Sequence, residues 1–184
     1  MLERIQKKYD FTNYQIKQLE YAFKVMASEI SKMLIICLVM FKDWKLCLFV
    51  FFIMTMLRLC TGGIHCDTYI GCLFTSFTFV FLSINTAKIF IPGKTLTIIA
   101  LVICAILSYI LSPVISKFHQ KLNREIVKRV RLQVFLTIMS YTLVYMAFKS
   151  NPYIQTGCVV IIFNTLQLII SKIITKGVPI YDEE

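Results

Sequence analysis

Charged residues are scarce in this chain, and their scarcity excludes an ordinary soluble domain. Asp, Glu, Lys and Arg make up 16% of its 184 residues, whereas about a quarter of the residues in a soluble domain are charged. Hydrophobic residues make up 58%, and the mean hydropathy is +0.73. We therefore expect an all-α integral membrane protein, a single helical bundle over residues 1–184 with no room for a second domain.

Several common signatures are also missing. The sequence contains no HExxH and no GxSxG motif, the usual marks of zinc proteases and serine hydrolases. Residues 1–32 carry charges throughout and have no early apolar core, so we expect no signal peptide in this segment. The seven cysteines are odd in number and scattered, and Cys37, Cys104 and Cys158 lie inside apolar runs. This distribution indicates small packed residues rather than a disulfide framework.

The basic residues lie between the apolar segments rather than along one stripe. The net charge is +10, but this arrangement is typical of loops under the positive-inside rule and not of a nucleic-acid binder. With six crossings both termini lie on one side, and that side carries 15 Lys and Arg against five on the other. We therefore expect both termini and the segment 58–72 to be cytoplasmic, where thiols stay reduced.

Hydrophobicity and charge divide the chain into about six membrane-embedded helices. Residues 1–32 predict an amphipathic helix on an anionic membrane surface, or equally an ordinary helix packed on the protein. Residues 33–57, interrupted by charges at 42–45, predict a short hairpin that either spans the bilayer or re-enters it. Residues 69–172 should form four transmembrane helices, and 173–184 a cytoplasmic tail. The four helices are expected at about 69–89, 95–116, 132–149 and 153–172.

The segment 58–72 places a histidine and several cysteines between two apolar runs. Polar residues at a membrane boundary are functional candidates, and a base beside a cysteine is the minimal set for thiol catalysis. Cys72 follows His65 by seven residues, about 10 Å along a straight helix, so one helix cannot join them. The pair Gly62-Gly63 can break the helix and return His65 toward Cys72.

Simpler interpretations of these two residues remain open. His65 could only hydrogen-bond at the membrane edge, and Cys72 could only fill space. A zinc site formed by His65, Cys60 and Cys66 matches no common ligand spacing and has no obvious fourth ligand. We therefore expect neither a metal nor a cofactor.

Two further residues have supporting roles with equally simple alternatives. Asp67 either orients His65 or caps the next helix; if that helix begins near Asp67, its positive end favours the Cys72 thiolate. Arg58 either pairs with a substrate carboxylate or an oxyanion, or extends to lipid headgroups.

The pattern Arg-x3-Gly-Gly-x-His-x6-Cys, formed by Arg58, Gly62, Gly63, His65 and Cys72, resembles that of the accessory gene regulator B (AgrB) family. The resemblance covers nearly the whole chain, from the basic N-terminus and hairpin to the four helices and the basic loop. One departure is that the family's Pro-rich turn before this loop is reduced here to Ser-Pro at 112–113.

The resemblance implies a bacterial membrane cysteine endopeptidase that processes quorum-sensing propeptides, with His65 and Cys72 as its catalytic residues. It also implies a substrate with an amphipathic leader and an acidic tail, whose processing ends in a thiolactone or lactone ring. The lipid bilayer is the other expected partner, and a homodimer is left open. The competing class is a non-enzymatic transporter, export or sensor subunit, in which His65 and the glycines form a hinge or relay.

The charge bias predicts the topology. Cysteine-accessibility labelling or reporter fusions should place residues 60–68 and 117–131 in the cytoplasm and residues 42–45 and 150–152 outside, because Lys and Arg are retained on the cytoplasmic side. An external signal from 117–131 would contradict both the orientation and the expectation of a reduced thiol.

Overall fold

The computed structural model describes residues 13–62, 68–89, 93–114 and 124–174, and the regular structure within them is all helical. Four of the six helices, α3 to α6, are long and apolar enough to cross a membrane. The predicted all-α membrane bundle is therefore confirmed. The helices are α1 Asn13–Val39, α2 Trp44–Thr61, α3 Tyr69–Ile89, α4 Lys94–Leu111, α5 Arg124–Ala147 and α6 Pro152–Ile174.

Helices α1 and α2 form the hairpin, joined by a single 3-10 turn at Phe41–Asp43. Helix α1 runs without a break through residues 32 and 33, so the amphipathic segment and the first arm of the hairpin are one helix. Helix α2 has 18 residues, which corresponds to about 27 Å of helix. At the turn, the Asp43 carboxylate accepts a 2.6 Å hydrogen bond from Lys88, near the end of α3.

Helix α6 lies at the centre of the bundle and packs against α2, α3, α4 and α5. The core side chains are mainly aliphatic, with a few aromatic residues and cysteines, and are almost completely buried. Large apolar side chains such as Phe74 and Leu143 instead lie exposed on the outside. An exposed apolar surface of this kind suits a lipid environment. The central core residues include Val50, Val80, Leu101, Ile138 and Ile161.

Several hydroxyl groups inside the bundle donate to backbone carbonyls. Ser83 donates to Phe79 O at 2.7 Å, one helical turn earlier, and Thr165 donates to Ile161 O at 2.9 Å. The hydroxyls of Ser108 and Thr165 also lie 3.3 Å apart across α4 and α6. Such local pairing satisfies polar side chains where no water is present.

Helix α2 ends at a close backbone crossing. Gly62 has a φ of +72°, and beside it the N–H of Val114 donates to Thr61 O at 2.9 Å. A Cβ atom on Gly62 would lie 2.3 Å from Val114 O. Position 62 therefore requires glycine both for its backbone conformation and for the space around it.

Substitution of this glycine tests the crossing. Gly62→Ala should destabilise the detergent-solubilised protein by about 1–3 kcal/mol or more, because it adds backbone strain and a steric clash. Thermal unfolding followed by size-exclusion chromatography would measure the loss.

Gly93 provides a matched control, because it precedes α4 with a φ of −54° and a Cβ there would meet nothing within 4 Å. Gly93→Ala should change stability by less than about 1 kcal/mol, because the loss of a favourable N-cap residue is offset by the reduced freedom of the unfolded chain. Equal melting temperatures for the two variants would show that the crossing is not a constraint.

Candidate active site

Cys72 lies in the first turn of α3, which begins at Tyr69. Thr68 caps the helix: its Oγ1 accepts from the N–H of Gly71 at 3.2 Å, and its carbonyl accepts from the N–H of Cys72 at 3.1 Å. A hydroxyl that accepts from the third following residue is a standard N-cap arrangement. The half-buried Cys72 side chain therefore lies at the positive end of the helix dipole.

A lysine from another helix contacts this sulfur. The Nζ atom of Lys32, on α1, lies 3.2 Å from Cys72 Sγ and can donate to it. The same ammonium makes a short contact with the Glu29 carboxylate, one helical turn earlier on α1. The Lys32 side chain is only 2% exposed. A buried cation thus bridges a carboxylate and the candidate nucleophile.

The charge of Lys32 is set by competing effects. Lys32 lies outside the four candidate spans. Burial alone would lower its pKa, but the hydrogen bonds to Glu29 and Cys72 and the charge of Glu29 outweigh burial and raise the pKa above its ordinary value. Because the pKa is raised, Lys32 is protonated at neutral pH and presents a positive charge to the sulfur.

Arg58 lies in the last turn of α2 and points into the bundle. Its Nη2 donates to Gln167 Oε1 of α6 at 3.1 Å, and its guanidinium carbon lies 5.9 Å from the centre of the Phe79 ring on α3. Arg58 therefore connects α2, α3 and α6 on one side of the site. A cation held over an aromatic face in this way is also electrostatically favoured.

Residues 112–114 fix the end of α2 from the other side. The Ser112 hydroxyl donates to Cys60 O at 3.2 Å, and Arg131 Nε donates to Ser112 O at 2.7 Å. Arg131 belongs to the first two turns of α5, so these bonds bring the basic start of α5 to the same end of the bundle as the end of α2.

Only part of the predicted site lies within the described residues. The structure places Arg58, Gly62 and Cys72 at one end of the bundle. Gly63, His65 and Asp67 lie outside the described residues, as does Cys66. The pairing of His65 with Cys72 therefore stays a prediction. Among the described residues, no three His, Cys, Asp or Glu side chains lie together as a metal-binding group. The zinc alternative depends on His65 and Cys66, which lie outside the described residues.

Sequence reasoning missed Lys32 and Glu29 as site residues. It counted Lys32 only as one of the cytoplasmic charges that set the topology. A signal was nevertheless present, because Glu29 and Lys32 lie on one face of a helix at i and i+3, directly before the first long apolar run. A charge pair in that position could have been examined as a partner of the later polar segment.

Fold and site together define a class: an all-helical membrane protein with a cysteine and a buried cation at one end of its bundle. The model of the accessory gene regulator B (AgrB) family matches residues 1–170, and the chain belongs to this family. Membership supports a role in the agr quorum-sensing system, and it agrees with the four candidate spans in making this a membrane protein.

An AgrB-like protein of Clostridium beijerinckii is similar to this chain. The two are 29% identical over 168 residues, which cover 89% of this chain and 80% of the Clostridium protein. No solved structure matches the chain.

Proposed function

We propose that this protein is a membrane cysteine endopeptidase that removes the C-terminal tail of a quorum-sensing propeptide and supports cyclisation of the remaining peptide. One observation carries the proposal: Cys72 Sγ lies 3.2 Å from the Lys32 ammonium, in the first turn of α3, in a chain of the AgrB family. A thiol near a cation and a helix N-terminus is in the environment that activates cysteine nucleophiles.

In the acylation step, His65 takes the proton from the Cys72 thiol. The thiolate attacks the carbonyl carbon of the peptide bond before the tail, and a tetrahedral intermediate forms. When that intermediate collapses, the C–N bond breaks, His65 returns its proton to the departing amine, and the acyl group remains on Cys72 as a thioester.

In the second step, a Cys or Ser side chain within the peptide attacks the thioester carbonyl. The C–S bond to Cys72 breaks, the proton of the attacking group passes to the departing Cys72 sulfur and regenerates its thiol, and a thiolactone or lactone ring closes. A thioester retains the acyl reactivity that hydrolysis would remove, so exclusion of water favours cyclisation.

The proposed substrate is a short propeptide with an amphipathic leader and an acidic tail. The start of α5 supports this choice, because Arg124, Lys128 and Arg129 are exposed and Arg131 ties this part of α5 to residues 112–114. An exposed group of cations near the site would attract an acidic tail. The leader would lie along the bilayer surface.

Replacement of the nucleophile tests the proposal. Cys72→Ala and Cys72→Ser should abolish tail release while the protein still inserts and accumulates, because an unactivated hydroxyl is a weak nucleophile. Cys60→Ala and Cys66→Ala are matched controls and should retain substantial activity. Co-expression with the propeptide and mass spectrometry of the products would measure release. Tail release by Cys72→Ala at the wild-type rate would rule out the assignment.

Replacement of His65 tests the base. His65→Ala should slow acylation by roughly 10²–10⁴-fold, the usual contribution of a general base, while the variant still binds the propeptide. Single-turnover cleavage and a separate binding measurement distinguish these effects.

His65→Gln keeps polarity and approximate size, so it separates catalysis from simple hydrogen bonding. Normal cleavage by His65→Gln, together with unchanged alkylation of Cys72, would contradict the catalytic pair and favour the transporter class.

A further inference from the structure

Among the residues whose side-chain burial the structure describes, Lys32 is the one charged side chain that is fully buried. Removing an ammonium from water costs several kcal/mol unless partners compensate. A Glu29–Lys32 pair at i and i+3 could form equally well on the exposed face of a helix. The stability of α1 therefore does not explain why the Lys32 side chain points inward, whereas the Glu29 side chain remains 38% exposed.

Packing does not explain the lysine either. Lys32 is followed on the same helix by the fully buried Ile36, and an apolar residue at position 32 would continue that surface. Replacement of buried ion pairs by apolar side chains of similar volume is often neutral or stabilising. The charge of Lys32 must therefore be explained by what the ammonium contacts. On the neighbouring helix α3, it contacts the Cys72 sulfur.

The position of Lys32 opposite Cys72 is fixed by a second contact between the same two helices. The hydroxyls of Ser31 and Tyr69 lie 2.8 Å apart. Ser31 is adjacent to Lys32 on α1, and Tyr69 lies one turn before Cys72 on α3. Together the two contacts set the register of α1 against the first turn of α3, and Glu29 holds the ammonium on the remaining side.

A thiol is a weak hydrogen-bond acceptor, whereas a thiolate is a full negative charge. An ammonium within hydrogen-bond distance of sulfur therefore stabilises the thiolate much more than the thiol. The contact requires no movement of Lys32 when Cys72 ionises.

We propose that Lys32 is a catalytic residue of this site: its ammonium contacts Cys72 Sγ, stabilises the thiolate and orients it for attack. The proposal rests on the proposed function. Lys32 keeps its own proton throughout the reaction, and the proton released by Cys72 goes to His65 and then to the departing amine. Lys32 supplies a fixed charge, and Glu29 orients it.

The test uses alkylation of the full-length protein at pH 7 with iodoacetamide, a neutral reagent, followed by peptide mapping of each cysteine. Lys32→Met has nearly the same length without the charge, and it should slow alkylation of Cys72 by about 10–100-fold, the effect of a nearby charge on thiolate population. Lys32→Arg should restore most of the rate. Lys45→Met, which removes an exposed lysine at the far end of α2, should change nothing.

The alkylation of Cys60 and Cys104 in the same samples reports the integrity of the bundle. An unchanged rate at these two cysteines, together with a wild-type rate at Cys72 in Lys32→Met, would overturn the role of Lys32. If Lys32→Met loosens the bundle, alkylation of Cys104 becomes faster. The test is then the comparison between two polar replacements, Lys32→Arg and Lys32→Gln. The alkylation rate of Cys72 must then be about tenfold higher in Lys32→Arg than in Lys32→Gln. Equal alkylation rates in these two variants would overturn the proposal.

The two proposals fail separately. If Cys72→Ala still releases the tail, the proposed endopeptidase activity is refuted. Slow alkylation of Cys72 in Lys32→Met would in that case still support the interaction between Lys32 and Cys72. Loss of cleavage in Cys72→Ala, with wild-type alkylation of Cys72 in Lys32→Met, would keep the endopeptidase and remove Lys32 from its mechanism.

Discussion

The structure depends on one constraint, the absence of water from the interior of a bilayer. Every backbone N–H and C=O at membrane depth must then be paired within the protein, and a helix pairs them within one segment. The same constraint explains why hydroxyls such as Ser83 and Thr165 donate to carbonyls of their own helix. It also explains why departures from the helix, such as the non-helical residues 112–114, are paired to the end of α2.

The absence of water also determines where charged side chains lie. Most are placed at helix ends, where they can reach water or headgroups, as Asp43 and Lys88 do at one end of the bundle. Arg58 and Lys32 depart from this pattern because both are directed inward, toward Gln167 and Cys72 respectively. An ionisable residue that points into a membrane bundle marks function more often than stability, and both inward cations lie at the end of the bundle where α2 ends and α3 begins.

The helical bundle could be predicted because apolar runs of bilayer length have few alternatives. The expected span 69–89 coincides with α3. Helix α5, expected from residue 132, begins at Arg124, since hydropathy detects the membrane-embedded part of a helix and not its basic extension. For the same reason the sequence suggested a division at residue 32, which the structure replaces with a continuous α1. Cys72 could be singled out because the motif is local, whereas its contact with Lys32 joins residues 40 positions apart, and no periodicity predicts such a pair.

The proposed chemistry gives the two basic residues different tasks. A general base must change its protonation state within each cycle, and an imidazole does so near neutral pH. A residue that only stabilises the thiolate must not change, and Lys32 meets that condition because Glu29 and Cys72 raise its pKa despite burial. A lysine alone would leave the thiol proton without an acceptor, and a histidine alone would lose much of its stabilising charge once it had passed the proton to the departing amine. In the proposed mechanism, the fixed charge of Lys32 stabilises the Cys72 thiolate when it attacks, and again when it is the leaving group at ring closure. His65 carries the proton from the thiol to the departing amine.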